Sequence, residues 1–563
     1  MRNMSLKRKD CGGDTSTAME TCRRKDCGGD PTTDTKTSKV MEMKKKRAYR
    51  RKKYLPHDLI MQQILTKLPV PALLKSVLVS KLWYNSIHID RKRFTHSHFL
   101  QSKKHPRVIF SLLDVRDGDT ENTGEAVYGC HFFKFTNGLY GTENPLKFDM
   151  FRVYHTHSGI SELVGYCNGL PCMAIVGDYS TGYLVSDPNR KDYLYIFYPA
   201  GVGKHISESR IICHGFGFDP SANEYKVVSV FCTPQKELNF VVFTLGTKSW
   251  RDVTATTMPI SGDGGRSITK IRAPTGSDKS AIFCTSSSSN SGCLVWKVIV
   301  TLEGSDDSYA PNSNEKEMLM SFNLHDEKFQ FIQLPAKSTT DEHQKHLLVD
   351  YPHLVEFKGF PCIARIEKLS GNGNDYPHRC RDDHKDSSSC CCCCKVHLYM
   401  LKDKVEQAWV KEESFDVRVN SSSKLAPDPC CFCLGSTTTP PTRIFGFSDQ
   451  ILLYWFNGKY LQVYNLCSEK FQLVLTTDRE ERDIFRAKMK EPRSDGDDDI
   501  YCSNMDYQLH CHEENFLSLE TFIPDGVTGI DASEFFKLDL EKFDSPCSAY
   551  AVIYRGSAVF YPF

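Results

Sequence analysis

The stretch Val463-Tyr464-Asn465-Leu466-Cys467-Ser468-Glu469-Lys470-Phe471 reads as the end of a strand, a tight polar turn and a returning strand. The same arrangement recurs three times upstream: an aliphatic-aromatic strand end, one residue and a leucine, a polar turn, then a bulky aromatic. It appears at Val242–Leu245 with Trp250, at Ser321–Leu324 with Phe329, and at Leu398–Leu401 with Trp409. The leucines are 79, 77 and 65 residues apart, which is longer than one blade-sized repeat. Further strand-turn stretches, such as Leu354–Ile366 and Ile444–Trp455, lie between them.

From about Val108 onward, short runs of Val, Ile, Leu, Phe and Tyr alternate with turn residues. This implies a large all-β domain. Radially repeated four-stranded sheets, a β-propeller, account for it with roughly 40–50 residues per blade, and the length allows about six to eight blades. Two stacked β-sandwiches are the alternative.

Residues 55–85 have a different character: LPHDLIMQQILTKLPVPALLKSVLVSKLWYN. Leucines, isoleucines and valines fall at spacings of three and four, which predicts short helices. Pro56 opens the first, and Pro69 and Pro71 break it before the next. So short a piece cannot close a core around that many large apolar side chains. Part of its apolar face is expected to meet the following domain or another protein.

The order of matched positions is specific. It runs Leu55-Pro56, Asp58, Leu59-Ile60, Ile64-Leu65, Leu68-Pro69-Val70, Leu73-Leu74, Val79-Ser80-Lys81 and Trp83. Over about 45 residues, Tyr54 to Phe99, this resembles the F-box in its plant form. There are departures. The first helix carries one extra residue within Met61-Gln62-Gln63, which in a regular helix would rotate its end by about 100°. Gln63 stands where a glutamate is usual, and Leu78 where a cysteine is usual.

The resemblance implies docking onto a Skp-family adaptor, and through it onto a cullin. Leu55, Pro56, Ile64, Leu65, Leu68, Pro69, Leu73, Leu74 and Val79 would form the adaptor-binding surface, in the helix-in-groove manner. Trp83 is read as an internal residue holding the helices together.

A second set of motifs occurs in order: Gly165–Leu170, Val185–Asn189, Gly215–Pro220 with Glu224–Val228, Phe243–Trp250, Ser321–Pro335 and Glu514–Leu519. They resemble the F-box-associated interaction region of plant proteins, over about residues 125–520. That resemblance implies a propeller-like domain that captures a protein destined for ubiquitination. Each motif residue also has a structural role to play. Gly165, Gly169, Gly215 and Gly217 suit turns or close strand approach, and Asn168, Asp187 and Asp219 suit turns folded over their own backbone. Trp250 and Trp409 are expected in the blade core.

The resulting organisation is a disordered basic arm over 1–53, a small all-α F-box of three short helices over 54–99, the β-domain over 100–527, and a tail or closing strands over 528–563. The arm repeats RKDCGGD at Arg8–Asp14 and Arg24–Asp30, and Lys44–Lys53 is KKKRAYRRKK, suited to nuclear import or to a solvated linker. Residues 256–290, 303–316, 369–395, 420–442 and 478–500 read as insertions, most of them disordered.

Composition narrows the partners. Lys plus Arg is 71 against 70 Asp plus Glu, so bulk charge calls for neither nucleic acid nor membrane. The amino-terminal stretch is polar and basic with no apolar run, so no secretory signal is expected, and the 24 cysteines read as reduced thiols of the nucleus or cytoplasm.

No cofactor is expected. Cys390–Cys394 is a contiguous run, whereas structural metal sites want spaced ligands; Cys430-Cys431-Phe432-Cys433 lacks a second pair. His510-Cys511-His512-Glu513-Glu514 could hold a metal but more simply flanks a strand. No nucleophile motif is recognisable, so the chain reads as a non-catalytic substrate-recognition subunit of a ubiquitin ligase with an unknown target. The alternatives are an F-box-containing interaction protein acting outside a ligase, possibly nuclear, and a propeller enzyme, which would need convergent ligands or carboxylates at the propeller mouth.

Overall fold

The structure is a computed structural model. It describes residues 55–56, 59–88, 91–116, 127–135, 148–155, 159–176, 182–190, 192–197, 210–232, 238–254, 268–273, 280–285, 291–302, 315–335, 348–368, 393–418, 443–447, 450–456, 460–468, 470–475, 507–523, 530–531 and 551–555. The arm 1–53 with Lys44–Lys53, the insertions 420–442 and 478–500, and Cys430–Cys433 lie outside the described residues. The chain separates into two units, residues 1–60 and 61–563.

Six small sheets form a ring, a β-propeller of six blades. Blade I contains Arg107–Arg116, Val127–Phe135 and Phe148–His155. Blade II contains Gly159–Cys167, Leu170–Val176, Gly182–Asp187 and Asp192–Phe197. Blade III contains Arg210–Asp219, Glu224–Cys232, Leu238–Thr244 and Arg251–Asp252. Blade IV contains Ile268–Arg272, Ile282–Thr285, Gly292–Leu302, Glu315–Asn323 and Lys328–Gln333. Blade V contains Leu348–Phe357, Phe360–Lys368, Cys393–Asp403 and Ala408–Arg418, and blade VI Arg443–Phe447, Gln450–Phe456, Tyr460–Asn465 and Lys470–Leu475. Apart from one short parallel pair, named below, the pairings within the sheets are antiparallel.

The four recurring sequence units are the third-to-fourth-strand hairpins of blades III, IV, V and VI. Each leucine-to-leucine spacing therefore corresponds to one blade, and the length in excess of a blade-sized repeat sits in the loops. Residues 256–290, read as an insertion, hold the inner strand of blade IV in two pieces: Ile268–Arg272 and Ile282–Thr285 both pair along Gly292–Leu302. Each piece is four or five residues long, too short to show an alternation against its Ser/Thr/Gly-rich flanks. The strand Cys393–Asp403 likewise begins inside the cysteine run.

Strand alternation builds the core between blades rather than within them. Ile109 packs in the seam with blade II, whereas Phe110 packs in the seam with blade VI. Val227 and Val228 divide in the same way between the seams facing blades II and IV. Six apolar clusters result, one for each pair of neighbouring blades. Trp296 is fully buried in the III–IV seam, where its Nε1 donates to the His214 carbonyl at 2.7 Å. Trp250, beside Phe243 and Tyr183, and Trp409, whose Nε1 donates to Gln333 O, were expected in the blade core; both are half-buried and pack against the seam clusters from their margin.

Blade I lacks an inner strand of its own. Tyr507–His512 supplies it, pairing antiparallel with Arg107–Arg116 across 400 residues of chain, from Arg107↔His512 to Leu112↔Tyr507. This pairing closes the ring. Ala551–Arg555 instead extends the outer edge of blade II by pairing with Asp192–Phe197, and Ile530–Asp531 lies parallel beside it.

Before blade I come three α-helices: α1 (Val70–Ser76), α2 (Lys81–His88) and α3 (Arg91–Lys103). Residues Ile60–Ile64 form a π-helical turn, succeeded by a 3₁₀ turn over Leu65–Lys67. The extra residue within Met61-Gln62-Gln63 is thus absorbed locally, since a single inserted residue widens one turn to i→i+5 bonding. The rotation expected for the downstream turn and for α1 is relieved there.

Candidate functional site

The candidate functional element is the helical segment and its junction with the ring. Proline opens α1 at position 69 and offers no side-chain cap, so the Val70 N–H enters the protein without a local acceptor. Glu514, two residues past the ring-closing strand, fills that role: Val70 N donates to Glu514 Oε2 at 2.9 Å. The Glu514 backbone N–H donates to Ser102 Oγ of α3, and its carboxylate pairs with Lys134 of blade I and lies 3.8 Å from Arg107. Burial alone would raise the Glu514 carboxyl, but the Lys134 ammonium and the Lys134 and Val70 hydrogen bonds hold it below its usual value. It is a charged cap supplied from 444 residues away.

Phe516 continues the clasp. It meets Phe94 edge-on at 5.9 Å and His98 at 6.4 Å, two residues one turn apart on α3. His98 Nε2 donates to the Leu68 carbonyl at 2.9 Å, tying α3 to the turn before α1. On the other side, Arg190 donates to the Phe516 carbonyl and stacks over its ring, while Asn515 and Asn168 both donate to the Tyr225 hydroxyl. Asn168, expected to fold over its own backbone, does sit in a left-handed turn conformation, but its amide is used on Tyr225. Asp187 and Asp219 accept from the backbone two residues on, as expected. Gly169 (φ +80°) is in the left-handed region, and a Cβ there would meet the Glu513 carbonyl at 2.6 Å.

The nine residues read as adaptor-facing divide by exposure. Leu55, Pro56, Pro69 and Val79 are exposed or half-exposed; Ile64, Leu68 and Leu74 are half-buried; Leu65 and Leu73 are fully buried. In this conformation Leu65 and Leu73 face inward together with Val70, Ile87 and Phe94. Of these, Phe94 is taken up by Phe516 at the ring junction. Leu78 and Leu82, which were not among the nine, are exposed beside Val79, and Trp83 is half-buried. The part of Glu514 in holding the helices was also missed. Its sequence signal was the Glu514–Leu519 motif, but nothing local in it points to residue 70.

The His510–Glu514 motif is not gathered around a cation; among the described residues no cluster of three or more potential ligands occurs. His510 Nε2 meets Ser111 Oγ at 2.8 Å, and His512 Nδ1 meets the Tyr166 hydroxyl at 2.6 Å. One Ser–His–Asp grouping exists among the described residues, Ser221–His325–Asp219. The same imidazole nitrogen, Nδ1, faces both partners, so the ring cannot relay a proton between them. No described helix is long and apolar enough to cross a membrane.

Desolvation sets a pH dependence. It lowers His98, brings His353 to about 4, and brings His510 and His512 to about 3. Unfolding restores ordinary imidazoles near 6.5, so the unfolded chain binds more protons below that pH and stability falls as pH falls. Glu514, held low, loses its contribution in the same direction at acid pH. Desolvation raises Asp187 to about 6 and Glu356 to about 7, and these carboxyls act oppositely as they take up protons in the fold. The opposing groups overlap between pH 7 and 5. The carboxyls offset only part of the histidine loss, so urea unfolding is expected to give a modest fall in stability from pH 7 to 5 and a steeper loss from pH 5 to 3. Constant stability from 5 to 3 would contradict the neutral histidines.

A six-bladed β-propeller carrying a helical segment clasped to its ring-closing strand is the class of protein that this geometry defines. Two Arabidopsis thaliana proteins described as F-box proteins match: At1g33530, 26% identical over 209 residues, and At5g10340, 24% identical over 309 residues. The matches cover 36% and 51% of this chain, and the chain spans 40% and 60% of the length of those relatives. With the ordered motif over residues 54–99, these similarities support a likeness to plant F-box proteins. No family model matches the chain. Among solved structures, AofleA from Arthrobotrys oligospora aligns at a TM-score of 0.29 and 9% identity, covering 72% of this chain and 90% of that one. A likeness that distant carries no weight.

Proposed function

We propose that the chain is the substrate-recognition subunit of a Skp–cullin–F-box ubiquitin ligase. The F-box over residues 54–99 binds the Skp-type adaptor, and the propeller holds the target protein, in the nucleus or the cytoplasm. Its part is proximity: the target is held near an activated ubiquitin carrier, and this chain makes and breaks no bond.

The observation that carries the reading is a run of exposed apolar side chains on a clasped helical segment. Leu78 is 85% exposed, Val79 64% and Leu82 51%. Leaving such residues in water is unfavourable in proportion to their area, and a partner's groove removes the cost. Propellers suit the second task because their loops vary freely on a rigid ring. The test is co-purification of the chain with a Skp-type adaptor and a cullin. Val79→Asp with Leu82→Asp is expected to keep the fold, since both side chains are exposed, and to weaken adaptor binding at least tenfold, on the order of a hot-spot loss. Equal binding by the variant, or none by the wild type, overturns the reading. Adaptor binding without a cullin would place the chain outside a ligase.

A further inference from the structure

Blade IV contains a side-chain grouping that the docking function does not use. Cys284 and Cys293 are direct cross-strand partners, one residue in from the end of the hairpin formed by Ile282–Thr285 and Gly292–Leu302. Both are free thiols and both are buried, at 0% and 3% exposure. Lys404, from the turn between the third and fourth strands of blade V, reaches across the IV–V seam and donates from Nζ to Cys293 Sγ at 2.7 Å. Gln330 of blade IV holds that turn by donating to the Lys404 carbonyl at 2.7 Å. The neighbouring Thr285 is exposed, so the pair lies just beneath the surface.

The two sulfurs are differentiated. The hydrogen bond from Cys284, against the opposing effect of burial, and then the Lys404 ammonium and Ser321 hold the Cys293 thiol below its ordinary value. Burial pushes Cys284 the other way, so it keeps its proton and donates to Cys293. A thiolate beside a cation, with a protonated thiol in contact, is the arrangement of an attacking and a resolving cysteine. A purely structural pair of buried cysteines needs no lysine.

We propose that Cys284 and Cys293 are a reversible oxidation site for a small peroxide, with Cys293 as the attacking thiolate, Cys284 as the resolving thiol and Lys404 as the positioning cation. The Cys293 sulfur attacks one oxygen of hydrogen peroxide. The O–O bond breaks, Cys293 becomes a sulfenic acid, and hydroxide leaves. Cys284 then attacks the Cys293 sulfur, the S–O bond breaks, and water leaves as the disulfide forms. The Cys284 proton leaves with that oxygen as the water, and the hydroxide of the first step becomes the second water by taking from solvent the proton that Cys293 released on ionising, so both thiols together give two electrons to one peroxide. Direct cross-strand partners have Cβ atoms about 4.5–5.5 Å apart, so closing to disulfide geometry needs only a small local adjustment.

The test uses the full chain treated with graded hydrogen peroxide, then alkylated, digested and read by mass spectrometry. A linked Cys284–Cys293 peptide pair, reversed by dithiothreitol, is expected at doses that leave Cys172 and Cys362 alkylatable; those two are buried and carry thiols that burial pushes up. Lys404→Met is expected to slow the linkage about tenfold, and Lys404→Arg to retain most of the rate. Cys284→Ser is expected to halt at a Cys293 sulfenic acid that dimedone captures; this variant tests the assignment even if Lys404→Met does not fold. Cys293 still reduced once Cys172 or Cys362 has been oxidised, or a dimedone adduct absent from Cys284→Ser, overturns the proposal.

Discussion

Replacing Gly446 by alanine is expected to cost at least about 3 kcal/mol of stability, measured by urea unfolding at neutral pH. Gly446 lies in the inner strand of blade VI, where it meets the inner strand of blade V, and a Cβ there would overlap the Glu356 carbonyl oxygen, with the Glu356 carbonyl carbon only 2.9 Å away. The obstacle is backbone of the neighbouring blade, not the end of a flexible side chain, so relief requires two blades to part along their apolar seam. That seam contains Val355, Phe357, Leu453 and Tyr464, and opening it exposes all of them. Gly246→Ala is the control. It sits at φ +94° with nothing within 4 Å of the added carbon, so only the left-handed backbone conformation opposes it, at about 1–2 kcal/mol. If the two variants lose equal stability, the close approach of blades V and VI is not what demands glycine.

Glu514→Ala is expected to lose about 3–5 kcal/mol, because it strands Lys134, a side chain 11% exposed, and leaves the Val70 N–H of α1 without its acceptor. Glu514→Gln keeps an oxygen for Val70 but removes the charge, so it should fall between alanine and wild type. Glu514→Ala with Lys134→Met should recover part of the loss, since an unpaired buried cation costs more than a missing pair. Local opening distinguishes this from general weakening: amide exchange over Val70–Ser76 should accelerate more than exchange in blades III and IV. A loss below about 1 kcal/mol, or uniform acceleration, would mean that Glu514 is not the fastening point.

Much of the ring was legible because its hairpins are local. Each pairs residues only a few positions apart, so Val463–Phe471 and its three counterparts carry both strands and turn in one reading. The inner strand of blade IV was not legible, because Ile268–Arg272 and Ile282–Thr285 are each too short to establish a period. Ring closure was hidden for another reason. Pairing Ile109 with His510 depends on where the whole chain brings them, and nothing in either segment encodes the other. The segment over residues 55–85 was read correctly as helical, with an apolar surplus. Periodicity, however, cannot divide that surplus between an internal and an external recipient: Leu73 went inside, while Leu78 and Val79 stayed outside. The contacts that fasten the segment, Phe516 on Phe94 and Glu514 on the Val70 N–H, come from far away in the sequence.

The ring-closing strand also sets a timetable. As the chain emerges from the ribosome, blades II to VI can each assemble their central strands from consecutive sequence, but blade I must wait with three strands and an open inner edge. Only after residue 512 has been made can Arg107–Arg116 receive its partner, and only after residue 516 can the helices before it be fastened. A nascent chain interrupted before that point holds neither a closed ring nor a fixed helical segment. The last-made strand thus couples completion of the ring to the fixing of the helices that precede it, so that a half-built molecule has neither.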